Sequence, residues 1–208
     1  MRRCLPTITW RKRSALAAAA LIAVLLAACG AEAPKFRSTD ITGADFGRAL
    51  ALTGHDGRPR TLADFRGKLV VLTFGYTFCP DICPTTLADV AGVMKALGKD
   101  AERVQVVFVT VDPERDTREV LAQYVPAFDA RFLGLYGDAA ATQRAAKEFK
   151  IFYEKRAGST PTSYSVDHSA QVYVLDAQGR LRLFVRQERI SADLAEDLRT
   201  LLKSDGAP

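Results

Sequence analysis

KLVVLTFGYTFCPDICP, residues 68–84, decides the fold. Residues 69–74 form a continuous apolar, β-branched run, the pattern of a strand buried on both faces. Two cysteines, Cys79 and Cys83, then stand three residues apart in front of Pro84. Proline disfavours helical geometry in the residue before it and suits the first helical position itself. The segment therefore predicts a helix over residues 84–97, with Leu87, Val90, Ala91, Met94 and Leu97 on one apolar stripe. Cys83 is expected just before that helix and Cys79 on the preceding loop. Unpaired amides and the positive end of the helix dipole there favour thiolate over thiol.

Outward from this segment the pattern stays consistent. Residues 104–111 (VQVVFVTV) read as a second buried strand, parallel to the first through a right-handed crossover. Residues 46–65 predict an N-terminal hairpin that turns at residues 54–57. Asp116, with Glu119 three residues on, is expected to cap a helix over residues 117–125, and Asp138 one over residues 139–149. Residues 170–175 and 181–186 predict a hairpin around Asp176-Ala177-Gln178-Gly179. Ser191 is expected to cap a terminal amphipathic helix carrying Leu194, Leu198, Leu201 and Leu202. The expected class is α/β: a thioredoxin-like central mixed sheet flanked by helices, with an N-terminal β-hairpin and the cysteines at the first strand-to-helix junction.

The N-terminus reads as an export signal. Residues 1–13 are basic and residues 15–28 are apolar, too short a run for a membrane span, which needs about 20 residues. The run ends in Leu26-Ala27-Ala28-Cys29-Gly30, which looks like a bacterial lipobox in which Cys29 is lipidated; the plainer alternative is a short uncleaved anchor. The expected organisation is a lipoprotein signal peptide over residues 1–28, a flexible tether over 29–45 and one domain over 46–208. This places the domain in the bacterial cell envelope, facing the periplasm and lipid-anchored. Gly30 after the lipid cysteine leaves inner versus outer membrane sorting open. The net charge of +5 belongs to the leader: five of the 29 Lys and Arg residues precede Cys29, leaving 24 against 24 Asp and Glu. A neutral domain lacks the basic footprint of nucleic-acid binding.

After removal of the leader, Cys79 and Cys83 are the remaining thiols apart from Cys29. A close pair in an oxidising compartment serves as a disulfide, a redox couple or a metal site. Cross-linking so small a loop gains little stability. Three intervening residues make a wider loop than a dithiol oxidoreductase usually has, wide enough to splay two sulfurs around a metal. Of the two histidines, His55 sits in the expected turn and reads as a solvated loop residue. His168, in Val166-Asp167-His168-Ser169, directly precedes the strand that should face the cysteine loop, which makes it the candidate third ligand. Asp167 is a candidate to orient the imidazole or to serve as a cap or hydrogen-bonding group. Asp81 should be exposed, attracting a cation or orienting a partner. Two thiolates and one imidazole select copper, as Cu(I) or Cu(II), one per chain, whereas structural zinc wants four protein ligands. Met94 falls on the apolar stripe and reads as core. The acidic run at residues 112–117 reads as helix-capping or partner-steering.

Three separated motifs carry a family resemblance. Gly67-Lys68 with Phe74-Gly75-Tyr76-Thr77 and Cys79-Pro80-Asp81-Ile82-Cys83-Pro84 is the first; Val111-Asp112-Pro113-Glu114-Arg115-Asp116-Thr117 the second; Asp167-His168-Ser169 the third. Together they resemble the SCO/SenC copper chaperones over residues 46–203. The resemblance implies a thioredoxin-like fold, copper held by Cys79, Cys83 and His168, and a role in building the dinuclear copper centre of cytochrome c oxidase. The implied partners are the oxidase subunit that carries that centre and an upstream periplasmic copper donor, and that implied function favours the inner membrane over the outer. The competing function is a thiol-disulfide reductase that uses Cys79 and Cys83, forms the Cys79–Cys83 disulfide when oxidised and needs no His168. A peroxiredoxin-type peroxidase is disfavoured: Thr or Ser three residues and Pro seven residues before the reactive cysteine would be needed. Those positions hold Tyr76 and Leu72 for Cys79, and Pro80 and Tyr76 for Cys83.

Overall fold

The computed structural model describes residues 34–159 and 163–204; the leader, the lipobox and Cys29 lie outside them. In chain order the strands are β1 (Thr39–Asp40), β2 (Ala51–Gly54), β3 (Pro59–Thr61), β4 (Leu69–Gly75), β5 (Val104–Thr110), β6 (Leu133–Tyr136), β7 (Tyr153–Ala157), β8 (Tyr164–His168), β9 (Val172–Leu175) and β10 (Leu181–Val185). The α-helices are α1 (Ile82–Leu97), α2 (Arg118–Tyr124), α3 (Ala139–Glu148) and α4 (Ala195–Ser204). Eight strands form one mixed sheet, in the order β1-β10-β9-β4-β5-β6-β2-β3, while β7 and β8 pair as a separate ribbon. The fold is thioredoxin-like.

β4 runs through the middle, parallel to β5 from Leu69↔Val104 to Gly75↔Thr110 and antiparallel to β9. All seven of its residues are buried. Alternation splits them between two cores: Leu69 and Val71 meet Leu87, Val90 and Leu198 of α1 and α4, whereas Val70, Leu72 and Phe74 meet Phe149 and Tyr173 on the other face. Full burial of each such side chain contributes about 1.5–3 kcal/mol. The expected hairpins are present as β2–β3 and β9–β10. Asp176 closes the second: buried, it accepts hydrogen bonds from the amides of Gln178 and Arg180, and Gly179 takes φ +79°. The Asp138 side chain caps α3 as expected, accepting from the Ala141 amide at 2.6 Å.

Several local expectations are corrected. Helix α1 starts at Ile82 rather than Pro84, so Cys83 lies inside its first turn. The first four amides of a helix have no intrahelical acceptor, so Pro84 removes no helical hydrogen bond at the third position. Asp116 does not cap α2; Thr117 does, its hydroxyl accepting from the Val120 amide at 3.3 Å. Ser191 is no cap either: its hydroxyl donates to Asp89, and the chain enters α4 through a π-helical turn over Ile190–Leu194. Part of the expected tether is docked on the domain. The amides of Arg37 and Ser38 donate to the buried Asp197 carboxylate at 2.8 and 2.9 Å, and β1 pairs with β10. His55 is not merely solvated: its Nδ1 accepts from the Gly134 amide at 3.0 Å, and burial lowers its pKa.

Candidate metal centre

The cysteine loop leaves the carboxyl end of β4 through Gly75. A Cβ on Gly75 would lie 2.7 Å from the Cys83 sulfur and 2.8 Å from the Phe108 ring, so glycine is what lets Cys83 pack against the strand end. Beyond it, Thr77 is held by a carboxylate from far along the chain. Asp116 accepts from the Thr77 amide at 3.0 Å and from the Thr77 and Thr110 hydroxyls, each at 2.6 Å. Asp116 is fully buried, which raises its pKa against the lowering effect of these donors. The acidic run is thus an internal brace, a role its sequence pattern did not reveal.

Cys79 is half-buried on the loop, and Cys83 is buried in the first turn of α1. The Cys83 amide, one of the unpaired donors of the helix start, points at the Cys79 sulfur at 3.4 Å. The hydrogen bond from the Cys83 thiol lowers the Cys79 pKa to about 4, with the amides of Asp81 and Cys83 adding to the effect and burial opposing it. The same contact, together with burial, raises Cys83. The metal-free pair therefore divides into a thiolate at Cys79 and a thiol at Cys83.

His168 comes from the ribbon, at the last position of β8 and paired with Tyr153. The sequence places it in a loop before a strand, whereas it ends a strand of the β7–β8 ribbon, an element the sequence reading does not contain. The signal available was two short runs around residues 158–163 (GSTPTS), a turn-forming cluster. The His168 Nδ1 faces the Ser169 carbonyl at 2.9 Å, and Nε2 lies 3.2 Å from the Cys83 sulfur. A proton on Nδ1, assigned from that carbonyl contact, leaves the Nε2 lone pair directed at the cysteines. The Tyr76 ring and the imidazole pack nearly perpendicular, 5.8 Å between centroids. One donor atom each from Cys79, Cys83 and His168 lies within 4.8 Å of the others, the one such cluster of three among the described residues.

The supporting candidates are placed differently. Asp167 is exposed and pairs with Arg156 at 2.9 Å, the hydrogen-bonding alternative, while the imidazole is oriented by the Ser169 carbonyl. Asp81 is exposed, as expected. A second brace was missed. Asp112 is fully buried and accepts from Tyr164 at 2.8 Å and from Arg115 at 2.5 Å. Arg115 also donates to the Tyr164 carbonyl at 2.9 Å. The exposed large apolar residues of the described chain, Phe78, Ile82 and Phe152, all border this cluster: the first two adjoin the cysteines, and the third exchanges hydrogen bonds with Ser169.

Comparison with known proteins agrees with the geometry. The SCO1/SenC family model matches residues 38–203. The mouse mitochondrial SCO2 homolog is 38% identical over 152 residues, 72% of this chain and 60% of that protein. The chain thus spans about three fifths of the length of the curated relatives it matches. Among solved structures, copper-bound ScoI of Bradyrhizobium japonicum superposes with TM-score 0.69 at 34% identity, covering 75% of this chain and 99% of that one. Apo Sco1 of Thermus thermophilus gives 0.72 at 40% identity, covering 82% and 99%.

Proposed function

The chain belongs to the SCO1/SenC family, and from that premise we propose that it is a copper chaperone that loads the dinuclear copper centre of cytochrome c oxidase. Its family is one of cytochrome c oxidase assembly proteins with copper-bound members. The observation that carries the reading is the convergence of the Cys79, Cys83 and His168 donor atoms within 4.8 Å. The donor set fits the metal. Two sulfurs and one imidazole are soft to intermediate ligands, which suit Cu(I) and also serve Cu(II). An ion held by three ligands can be passed on by stepwise ligand exchange, and copper here is cargo. The apolar rim of Phe78, Ile82 and Phe152 supports docking of a protein partner, the copper-centre subunit or an upstream donor, against the ligands. Lipid attachment at Cys29 would hold the domain at the periplasmic face of the membrane.

A second reading, thiol-disulfide reductase, draws on the asymmetry of the pair. Cys79, held as thiolate, suits attack on a disulfide, and the buried Cys83 suits resolution of the mixed disulfide. The two readings share the cysteines and differ in whether His168 matters.

The copper reading is tested by copper loading of the full chain in reduced and oxidised form, followed by metal analysis after removal of loose ion. A Cys79–Cys83 disulfide removes both thiolates, so the reduced form should hold one copper and the oxidised form far less. Equal, tight loading of both forms would refute the proposal.

A further inference from the structure

We propose that Arg115 is a positioning residue, whose single guanidinium sets the spacing between the cysteine loop and the histidine strand. The inference rests on the copper reading above for its metal readouts, and on geometry alone for the rest. Besides the contact of the Cys83 sulfur with His168, two side chains link the segments that carry Cys79 and His168. One tie is the Tyr76 ring, which packs on the His168 imidazole at 5.8 Å between centroids. The other is Arg115. Its Cζ lies 3.6 Å from the Tyr164 ring centroid, 4.9 Å from that of Phe78 and 5.6 Å from that of Tyr76. Phe78 immediately precedes Cys79, and Tyr164 opens the strand that ends in His168.

The guanidinium is itself fixed. Nε donates to Asp112, Nη1 donates to the Tyr164 carbonyl, and the Tyr164 hydroxyl returns to Asp112, closing a ring of contacts. The adjoining Glu114 pairs with Lys155 of β7 at 2.6 Å, a second hold on the ribbon from the same loop. Arg115 Nη2, by contrast, is buried with no hydrogen-bond partner among the described residues. Leaving a buried donor unpaired is unfavourable, so the orientation is set by the contacts to Asp112 and the aromatic rings. Only arginine combines a directional fork with a flat face that stacks on aromatics; lysine supplies a point charge.

The consequence is selective. Two thiolates alone can hold Cu(I), whereas Cu(II) needs the imidazole nitrogen. Loss of the Arg115 tie leaves the Cys79–Cys83 loop on its Asp116 brace but loosens the ribbon, which keeps its Tyr164–Asp112 and Lys155–Glu114 contacts, so the damage should fall on His168.

The test uses the full chain in detergent with R115M, R115K and, as a control for simple destabilisation, R180M, whose arginine serves the β9–β10 turn. In the reduced, metal-free protein the nuclear Overhauser contact between the Tyr76 and His168 rings should weaken in R115M and persist in R180M. By competition, R115M should lose about tenfold or more in Cu(II) affinity, with nitrogen coupling lost from the Cu(II) resonance spectrum, and about threefold or less for Cu(I). R115K should fall between R115M and the wild type, and it carries the test if R115M does not fold. Wild-type Cu(II) affinity with an intact ring contact in R115M would overturn the proposal, as would the same losses in R180M. Failure of the wild type to hold copper would sink the chaperone reading instead, while the ring contact would still decide the role of Arg115.

Discussion

The Cys83 sulfur lies 3.2 Å from Nε2 of His168, across 85 residues of chain. This contact closes the cluster from two elements that share no local sequence: the first turn of a helix and the last residue of a ribbon strand. It also sets the imidazole beside the dithiol, where the copper reading uses it as a ligand and the reductase reading does not need it.

His168→Ala should separate the two functions. It removes the nitrogen ligand and leaves both sulfurs, so Cu(II) affinity should drop much more than Cu(I) affinity, and dithiol exchange should continue. Cells carrying the variant should lack an assembled oxidase copper centre. Near-normal oxidase activity at limiting copper, with the variant at normal abundance, would promote the reductase reading.

The cysteines should differ in reactivity. An ordinary thiol ionises near pH 8.5, whereas Cys79 is held down at about 4. The deprotonated form is the nucleophile, so alkylation of Cys79 in the reduced, metal-free chain should be fast and level around neutrality. It should fall as the pH drops toward that lower value. Cys83, buried and raised, should stay largely unmodified. Mass spectrometry after timed alkylation reads both sites, and preferential labelling of Cys83 would contradict the assignment.

Asp116→Ala should destabilise the fold. It strips the acceptor from the Thr77 amide and from the hydroxyls of Thr77 and Thr110, all in or beside the core. Unsatisfied donors of this kind cost about 1–3 kcal/mol each, so a net loss of about 2–4 kcal/mol is expected. Urea denaturation followed by circular dichroism measures it, and a change below about 0.5 kcal/mol would show that the brace is dispensable.

Cys29→Ser should block lipid attachment and leave the precursor uncleaved. Radiolabelled fatty acid should enter the wild-type chain only. Equal labelling of the variant would remove Cys29 as the anchor.

Much of this protein is legible along the chain. The buried run of β4, the cysteine pair at the junction of β4 and α1, the parallel β5 and the two hairpins follow from periodicity and turn chemistry, which act over a few residues. Cys79, Cys83 and His168 were identifiable by residue type, because soft donors are few in this composition. The tertiary structure decided what those local signals leave open. An aspartate ahead of a helix caps it when solvated; buried beside Thr77 and Thr110, Asp116 instead binds their hydroxyls, since a carboxylate removed from water must find donors wherever they lie. Asp112, Arg115 and Tyr164 acquire their roles only when the ribbon folds back over the cysteine loop. Likewise, the division of one thiolate and one thiol between two identical side chains depends on the Cys83 thiol meeting Cys79, on the burial of Cys83 and on the helix amide that points at Cys79, none of which is a property of sequence spacing.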